Sequence, residues 1–264
     1  MVAMVAHTKP YSPPVFQVRS LLPFTHKHIS ITVSMSENTT KKAFTVALEG
    51  NIGAGKTRFI NYLKEQEDLK HIVLLDEQVN KWQNFHGKDL IKMFYENPKR
   101  WGFTFQSCAL LSMIERQLDS EKAEIRIMER SPHSSLRIFA ESMLKSGYIS
   151  DVEKGLLENW LKLLTESSTV NLELDGIVYV RTSVAVAIDR ISFRNREGES
   201  HLTEEYADRI DKEHEEWLTK EVDSKKVVIM DGDKSGKDIV KEYRRIIDWI
   251  KQKKIEKDGV WLRH

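Results

Sequence analysis

Five short apolar runs punctuate the chain: "AFTVALEG" (43–50), "HIVLLDE" (71–77), "EIRIMERS" (124–131), "DGIVYVRTS" (175–183) and "KVVIMDG" (226–232). Each is rich in Val, Ile or Leu, shows little alternation, and ends on a charged, Gly or Ser position. Strands buried on both faces read this way. The stretches between them repeat their apolar positions every three to four residues, which predicts helices. These are "TRFINYLKEQ", "PKRWGFTFQSCALLSMIERQLDS", "HSSLRIFAESMLKSG", "VEKGLLENWLKLLTES", "LTEEYADRIDKEHEEWLTKEV" and "GKDIVKEYRRIIDWIKQKK". Strands alternating with helices imply an α/β fold, a five-stranded parallel sheet covered by helices on both faces. No internal repeat and no dividing linker interrupts the pattern, so one domain is expected over 42–264.

Residues 1–36 lack this patterning. They hold no Asp or Glu, only Lys9, Arg19 and Lys27 as charges, and four of the six prolines. An acid-poor leader of this kind fits a mitochondrial transit peptide. The Pro13-Pro14 pair breaks an amphipathic helix, which fits a disordered tail over 1–41, or initiation at Met35. An intracellular protein is expected either way, mitochondrial in the first case and cytoplasmic in the second. Lys and Arg total 41 against 40 Asp and Glu, so no global charge points to nucleic acid or a membrane surface, and any anion site must be a local cluster. The single cysteine, Cys108, sits in an apolar run and reads as a buried thiol.

In open α/β sheets ligands bind beyond the carboxyl ends of the strands. "GNIGAGKT", 50–57, follows the first predicted strand and fits a phosphate-binding loop, G-x-x-x-x-G-K-[ST]. This makes a P-loop NTPase fold the expectation. Gly50, Gly53 and Gly55 let the backbone, with Asn51, Ile52 and Ala54, turn its N–H groups inward onto phosphate oxygens. Lys56 is expected on the terminal phosphates of ATP, and Thr57 on Mg2+. Glu77 and Glu129 end neighbouring predicted strands. Glu77 is placed as a base for an acceptor hydroxyl, Glu129 as a metal ligand, and Arg130 beside either. Gln106, Ala109 and Met113 share one helical face, and Ser135 and Phe139 another. An amide beside apolar and aromatic side chains suits a flat heterocycle. Arg190, Arg194 and Arg196 lie within seven residues and read as an Arg-rich lid over the triphosphate.

Taken together, "EGNIGAGKT", Glu77 and Trp82 in "DEQVNKW", "FYENPKRWGFTFQS", "MERS", the arginine-rich segment with Glu199, and "EYADRIDKEHEEWL" resemble the deoxynucleoside kinases. The resemblance runs from about Ala43 to Asp231. It implies ATP-dependent phosphorylation of a deoxyribonucleoside 5′-hydroxyl. Glu77 matches the general base, Arg130 its neighbour, Glu129 and Thr57 the Mg2+ site, and Gln106 the reader of the base edge. Trp82 and Phe139 match the aromatic pair around the base, Tyr95 and Glu199 the groups on the sugar 3′-hydroxyl, and Arg190, Arg194 and Arg196 the lid. A homodimer is implied, with no nucleic-acid or membrane partner. The sequence departs from the family at Gln78, where proline is common, at Pro132-His133, and around Glu199. Met113 and Ser135 stand where the deoxycytidine and deoxyguanosine enzymes carry Arg and Asp, which resembles the members that take pyrimidines and implies thymidine or deoxycytidine. Two alternatives stand beside this reading. A thymidylate kinase would need a basic site for the acceptor's phosphate, which Glu77 would repel. Loss of the loop lysine or of the lid arginines would favour a catalytically silent structural subunit, and both are present; a regulatory ATPase switch fits the loop alone.

Overall fold

A computed structural model describes residues 42–120, 123–166, 171–194 and 202–259. In chain order the elements are β1 (Phe44–Glu49), α1 (Lys56–Lys64), β2 (Val73–Leu75), α2 (Val79–Gln83), α3 (Leu90–Glu96), α4 (Pro98–Asp119), β3 (Ile125–Glu129), α5 (Pro132–Ser134), α6 (Glu141–Lys145), α7 (Asp151–Glu166), β4 (Gly176–Arg181), α8 (Val184–Arg194), α9 (Glu204–Glu216), β5 (Val227–Asp231) and α10 (Gly236–Asp258). A π turn, Ser135–Ala140, joins α5 to α6, and another, Trp217–Glu221, extends α9.

All five expected strands form, and every pairing is parallel, in the order β2-β3-β1-β4-β5. Alternate residues of β1 serve opposite faces, as a period of two requires. Phe44, Val46 and Leu48 pack with Phe59, Ile60 and Leu63 of α1 and with Tyr243, Ile246 and Ile250 of α10. Ala47 packs on the other face with Met128, Tyr179, Ile138, Ile210 and Trp217. A third cluster joins α4, α6 and α7 through Leu110, Ile114, Met143, Leu157 and Leu161. Each fully buried Phe, Leu or Ile contributes roughly 1.5–3 kcal/mol relative to exposure, so this layering needs no covalent staple.

Helix starts follow local chemistry. Asn97 caps α4 by accepting from the Arg100 N–H at 3.2 Å, with Pro98 in the first turn. Asp89 caps α3 and Thr203 caps α9 in the same way. The structure corrects three expectations. The run 71–77 forms a strand only over Val73–Leu75, leaving Asp76 and Glu77 beyond the ladder. The run 133–147 is not one regular helix but α5, the π turn and α6. Cys108 is half-buried rather than buried, because α4 turns that residue partly outward. Burial, then Glu115, still push its thiol up and disfavour the reactive thiolate. Among the described residues, no helix is long and apolar enough to cross a membrane.

Candidate active site

The loop after β1 has the backbone its glycines predict. Gly50, Gly53 and Gly55 have φ of 146°, 78° and 99°. A Cβ on Gly50 would meet the Val180 carbonyl oxygen at 2.5 Å, so only glycine fits there. Lys56 is buried and donates from Nζ to the carbonyls of Gly50 at 3.0 Å and Asn51 at 2.8 Å. Burial, then Arg130, pull its ammonium down to about 8, against Glu129, Glu77 and Glu49. The Asn51 amide donates to the Ala207 carbonyl of α9 at 2.8 Å, and its oxygen accepts from the Ile52 N–H at 2.8 Å. Gly50, Asn51 and Ala54 therefore shape the loop from behind, while Ile52, Gly53, Gly55, Lys56 and Thr57 line a cavity of about 640 Å³.

The two carboxylates meet in that same cavity. Arg130 donates from Nε to Glu77 Oε1 at 2.7 Å and from Nη1 to the Gly50 carbonyl at 3.2 Å. Its side chain is 3% exposed and that of Glu77 21%. Burial raises Glu77, but Arg130, Lys56 and Arg116 outweigh it and hold the carboxyl below its ordinary range, ionised and able to take a proton. Glu129 is pushed the other way, by burial and by Glu77 itself. Its two oxygens lie 2.9 and 3.1 Å from the Thr57 hydroxyl. An all-oxygen pair beside crowded negative charge suits a small divalent cation that keeps several waters. The Thr57 and Glu129 side chains thus fit Mg2+.

The residues expected around a flat heterocycle come together from α2, α4 and the π turn, with Tyr95 of α3 beside them in the cavity. Trp82, Ala109 and Met113 are buried together, with Phe105 meeting Trp82 edge-on at 5.8 Å. The Trp82 indole N–H donates to Ser112 Oγ at 2.9 Å. Gln106 donates from Nε2 to the Ser135 backbone carbonyl and, at 2.6 Å, to Ser135 Oγ. A carbonyl only accepts, so the amide nitrogen must face it, leaving Oε1 as the group available to a ligand. The sequence implies that donor and acceptor are both free for a base edge; the structure commits the donor to Ser135. Phe139 lies under the Arg130 guanidinium, 4.6 Å from its carbon to the ring centroid. Tyr95 meets Tyr206 edge-on at 6.5 Å.

Of the arginines expected in a lid, Arg190 donates to the Ala54 carbonyl at 3.2 Å and to that of Gly232 at 2.8 Å, and both Arg190 and Arg194 line the cavity. Arg196 and Glu199 lie outside the described residues. Tyr206, Arg58 and Arg116, in or behind the cavity, are not among those expected. Tyr206 stands within the quoted "EYADR" stretch, and Arg58 directly follows the loop, so each had a positional signal. Arg116 had none beyond its place one turn after Met113. It donates from Nη1 to the Leu75 carbonyl at 3.2 Å and to that of Asp76, and from Nη2 to the carbonyls of Glu129 at 3.1 Å and Arg130 at 2.9 Å. Two other strand-end residues stand apart from the site: Arg181 pairs with Glu215 at 2.7 Å, and neither it nor Asp231 lines the cavity.

Comparison with known proteins bears on the same residues. A family model for deoxynucleoside kinase matches residues 46–256. Mitochondrial thymidine kinase 2 of Macaca fascicularis is 34% identical over 187 residues, which cover 71% of this chain and 69% of that protein. Deoxycytidine kinase 1 of Xenopus laevis is 33% identical over 215 residues, covering 73% and 80%. Deoxycytidine kinase of Mus musculus is 33% identical over 195 residues, covering 66% and 74%. The family match takes in all five strands except the first two residues of β1, and with them the loop, both carboxylates and the helix bearing Tyr206. The chain belongs to the deoxynucleoside kinase family.

Proposed function

We propose that this chain transfers the γ-phosphoryl group of ATP to the 5′-hydroxyl of a deoxyribonucleoside, giving the deoxynucleoside 5′-monophosphate and ADP. The observation that carries the reading is the Glu77–Arg130 pair, 2.7 Å apart, in one cavity with Lys56 and Gln106. Glu77 accepts the hydroxyl proton as the bond from O5′ to phosphorus forms. The bond from phosphorus to the bridging oxygen breaks, and its electron pair leaves with ADP. Lys56 and the loop N–H groups hold the triphosphate, and Arg190 and Arg194 spread positive charge over the moving group. Thr57 and Glu129 would hold Mg2+, which would supply neutralisation of phosphate charge. Gln106 Oε1 accepts from the base edge, Trp82 and Phe139 flank the ring, and Tyr95 holds the 3′-hydroxyl. Arg196 and Glu199 keep the lid and 3′-hydroxyl roles that the resemblance gives them.

The apolar seat at Ala109 and Met113 supports a pyrimidine, thymidine or deoxycytidine. The relatives named above are a thymidine kinase and deoxycytidine kinases, which favours the same class. A thymidylate kinase fits less well, since the acceptor's phosphate would approach an ionised Glu77. A silent subunit is disfavoured by Lys56, Glu77 and Arg190 standing together in the cavity. Assembly is as a homodimer, and the compartment follows residues 1–36: mitochondrial if they are removed as a transit peptide, cytoplasmic otherwise. The deciding experiment is Glu77→Gln, assayed with labelled ATP against the four deoxynucleosides and dTMP. A fall in kcat of roughly 10²–10⁴-fold with the nucleoside KM kept is expected. Turnover at the wild-type rate removes Glu77 from the role, and product from dTMP alone moves the reading to the monophosphate kinase.

A further inference from the structure

The ladder that carries Glu77 toward the cavity stops short. β2 is an edge strand whose pairing with β3 ends at Leu75 opposite Met128, and Glu77 lies two residues further on. Across from it Arg130 has a φ of 61°, in the left-handed region that a non-glycine residue rarely occupies. Glu77 thus stands where sheet hydrogen bonds no longer set the backbone, and Arg130 keeps one, its N–H donating to the Leu48 carbonyl of β1 at 3.0 Å. One side chain spans the gap. The Arg116 guanidinium, 5% exposed, reaches from α4 and donates to four carbonyls, Leu75 and Asp76 on one side, Glu129 and Arg130 on the other. Its Nε is buried with no partner, so its bonded donors serve these two strand ends alone.

We propose that Arg116 is a positioning residue for phosphoryl transfer, clamping the ends of β2 and β3 so that Glu77 and Arg130 meet the acceptor hydroxyl in register. The proposal rests on the reading of Glu77 as the base. Arg116 does not line the cavity, so it acts through the backbone and not on substrate. Its planar fork is what the task needs: two parallel prongs reach two strands, whereas a lysine is a point charge with no fixed spread. Gln106 and Met113 stand on the same helix, so one rigid element sets both the seat of the nucleobase and the approach of the carboxylate. A displacement of about 1 Å at such a pair can lower the rate about 10²-fold.

The test is a double-mutant cycle of Arg116→Met with Glu77→Gln, read as separate kcat and KM values. Arg116→Met alone should lower kcat roughly 10–100-fold while KM for nucleoside and ATP stays within about three-fold. Arg116→Lys should fall between, and added methylguanidine should restore part of the Arg116→Met rate. On the Glu77→Gln background the same Arg116 change should lose less than about three-fold, because no base remains to be placed. Unchanged kcat in Arg116→Met, a loss confined to KM, or an equal loss on both backgrounds overturns the proposal. Should Arg116→Met fail to fold, Arg116→Lys runs the same cycle. Wild-type turnover in Glu77→Gln alone sinks the underlying site reading instead, which keeps the two failures apart.

Discussion

Glu49 closes β1 with no exposed surface, one residue before the loop begins. Its Oε1 accepts from Ser131 Oγ at 2.7 Å, and its Oε2 has no partner. Burial pushes the carboxyl up from 4.5 to about 7, against Ser131, Arg130, Ser134 and Lys56. The folded state therefore keeps a proton that the unfolded chain gives up above about 4.5. The stability this supplies is complete below that pH and is lost as pH rises to about 7, on the order of 3 kcal/mol. Glutamine has no proton to lose. Calorimetry of Glu49→Gln against wild type should show the Tm difference moving in the variant's favour from pH 5 to 7.5; parallel curves would remove Glu49 as the titrating group. Lys56, Thr57, Glu129 and Arg130 are legible in the sequence because each follows a strand run or fills a motif position. The state of Glu49 is not, because it depends on Ser131, 82 residues away in sequence. Arg116 is illegible for a different reason: its partners are backbone carbonyls, which carry no residue identity.

Whole elements are easier to read than their exceptions. Burial on both faces makes β1, β3 and β4 visible as apolar runs; the edge strands β2 and β5 are only partly buried, and β2 is the most overdrawn. The helices α2 and α3 span five and seven residues, too few for a 3.6-residue period to declare itself. The π turn at Ser135 leaves no pattern in composition, yet it carries Ser135 and Phe139 to the cavity. α7 presents a clearer message. Val152, Leu156, Trp160 and Leu163 recur at spacings of four, four and three, and all four are exposed, Val152 by 74% and Leu163 by 67%. Leu111 and Leu118 of the adjoining α4 are exposed too, and Phe103 touches Trp160 with ring centroids 6.0 Å apart. A two-helix apolar face of this kind fits a second copy of the chain, the implied homodimer. Leu163→Asp should shift sedimentation from dimer to monomer with the circular dichroism unchanged. A wild type that sediments as a monomer at micromolar concentration removes this assignment.

At the scale of the molecule, the strand order puts β1 at the centre, with β3 on one side and β4 on the other, so that loop, carboxylates and α8 gather at the carboxyl ends of the strands. That convergence follows from parallel topology and was expected from the alternation of runs. What no run announces is the cross-connection from loop to α9. Asn51 spends its amide donor on the Ala207 carbonyl, one residue after Tyr206. Hydrogen exchange on α9 should slow when a non-hydrolysable ATP analogue binds, and Asn51→Ala should abolish that slowing; protection that persists in the variant would mean the signal takes another route. The side-chain hydrogen bond at Asn51 ties residues 50–57 to the helix that carries Tyr206. Tyr206 faces Tyr95 at 6.5 Å in the cavity wall, so on the proposed reading a donor nucleotide that stiffened the loop would also firm the wall that meets the sugar.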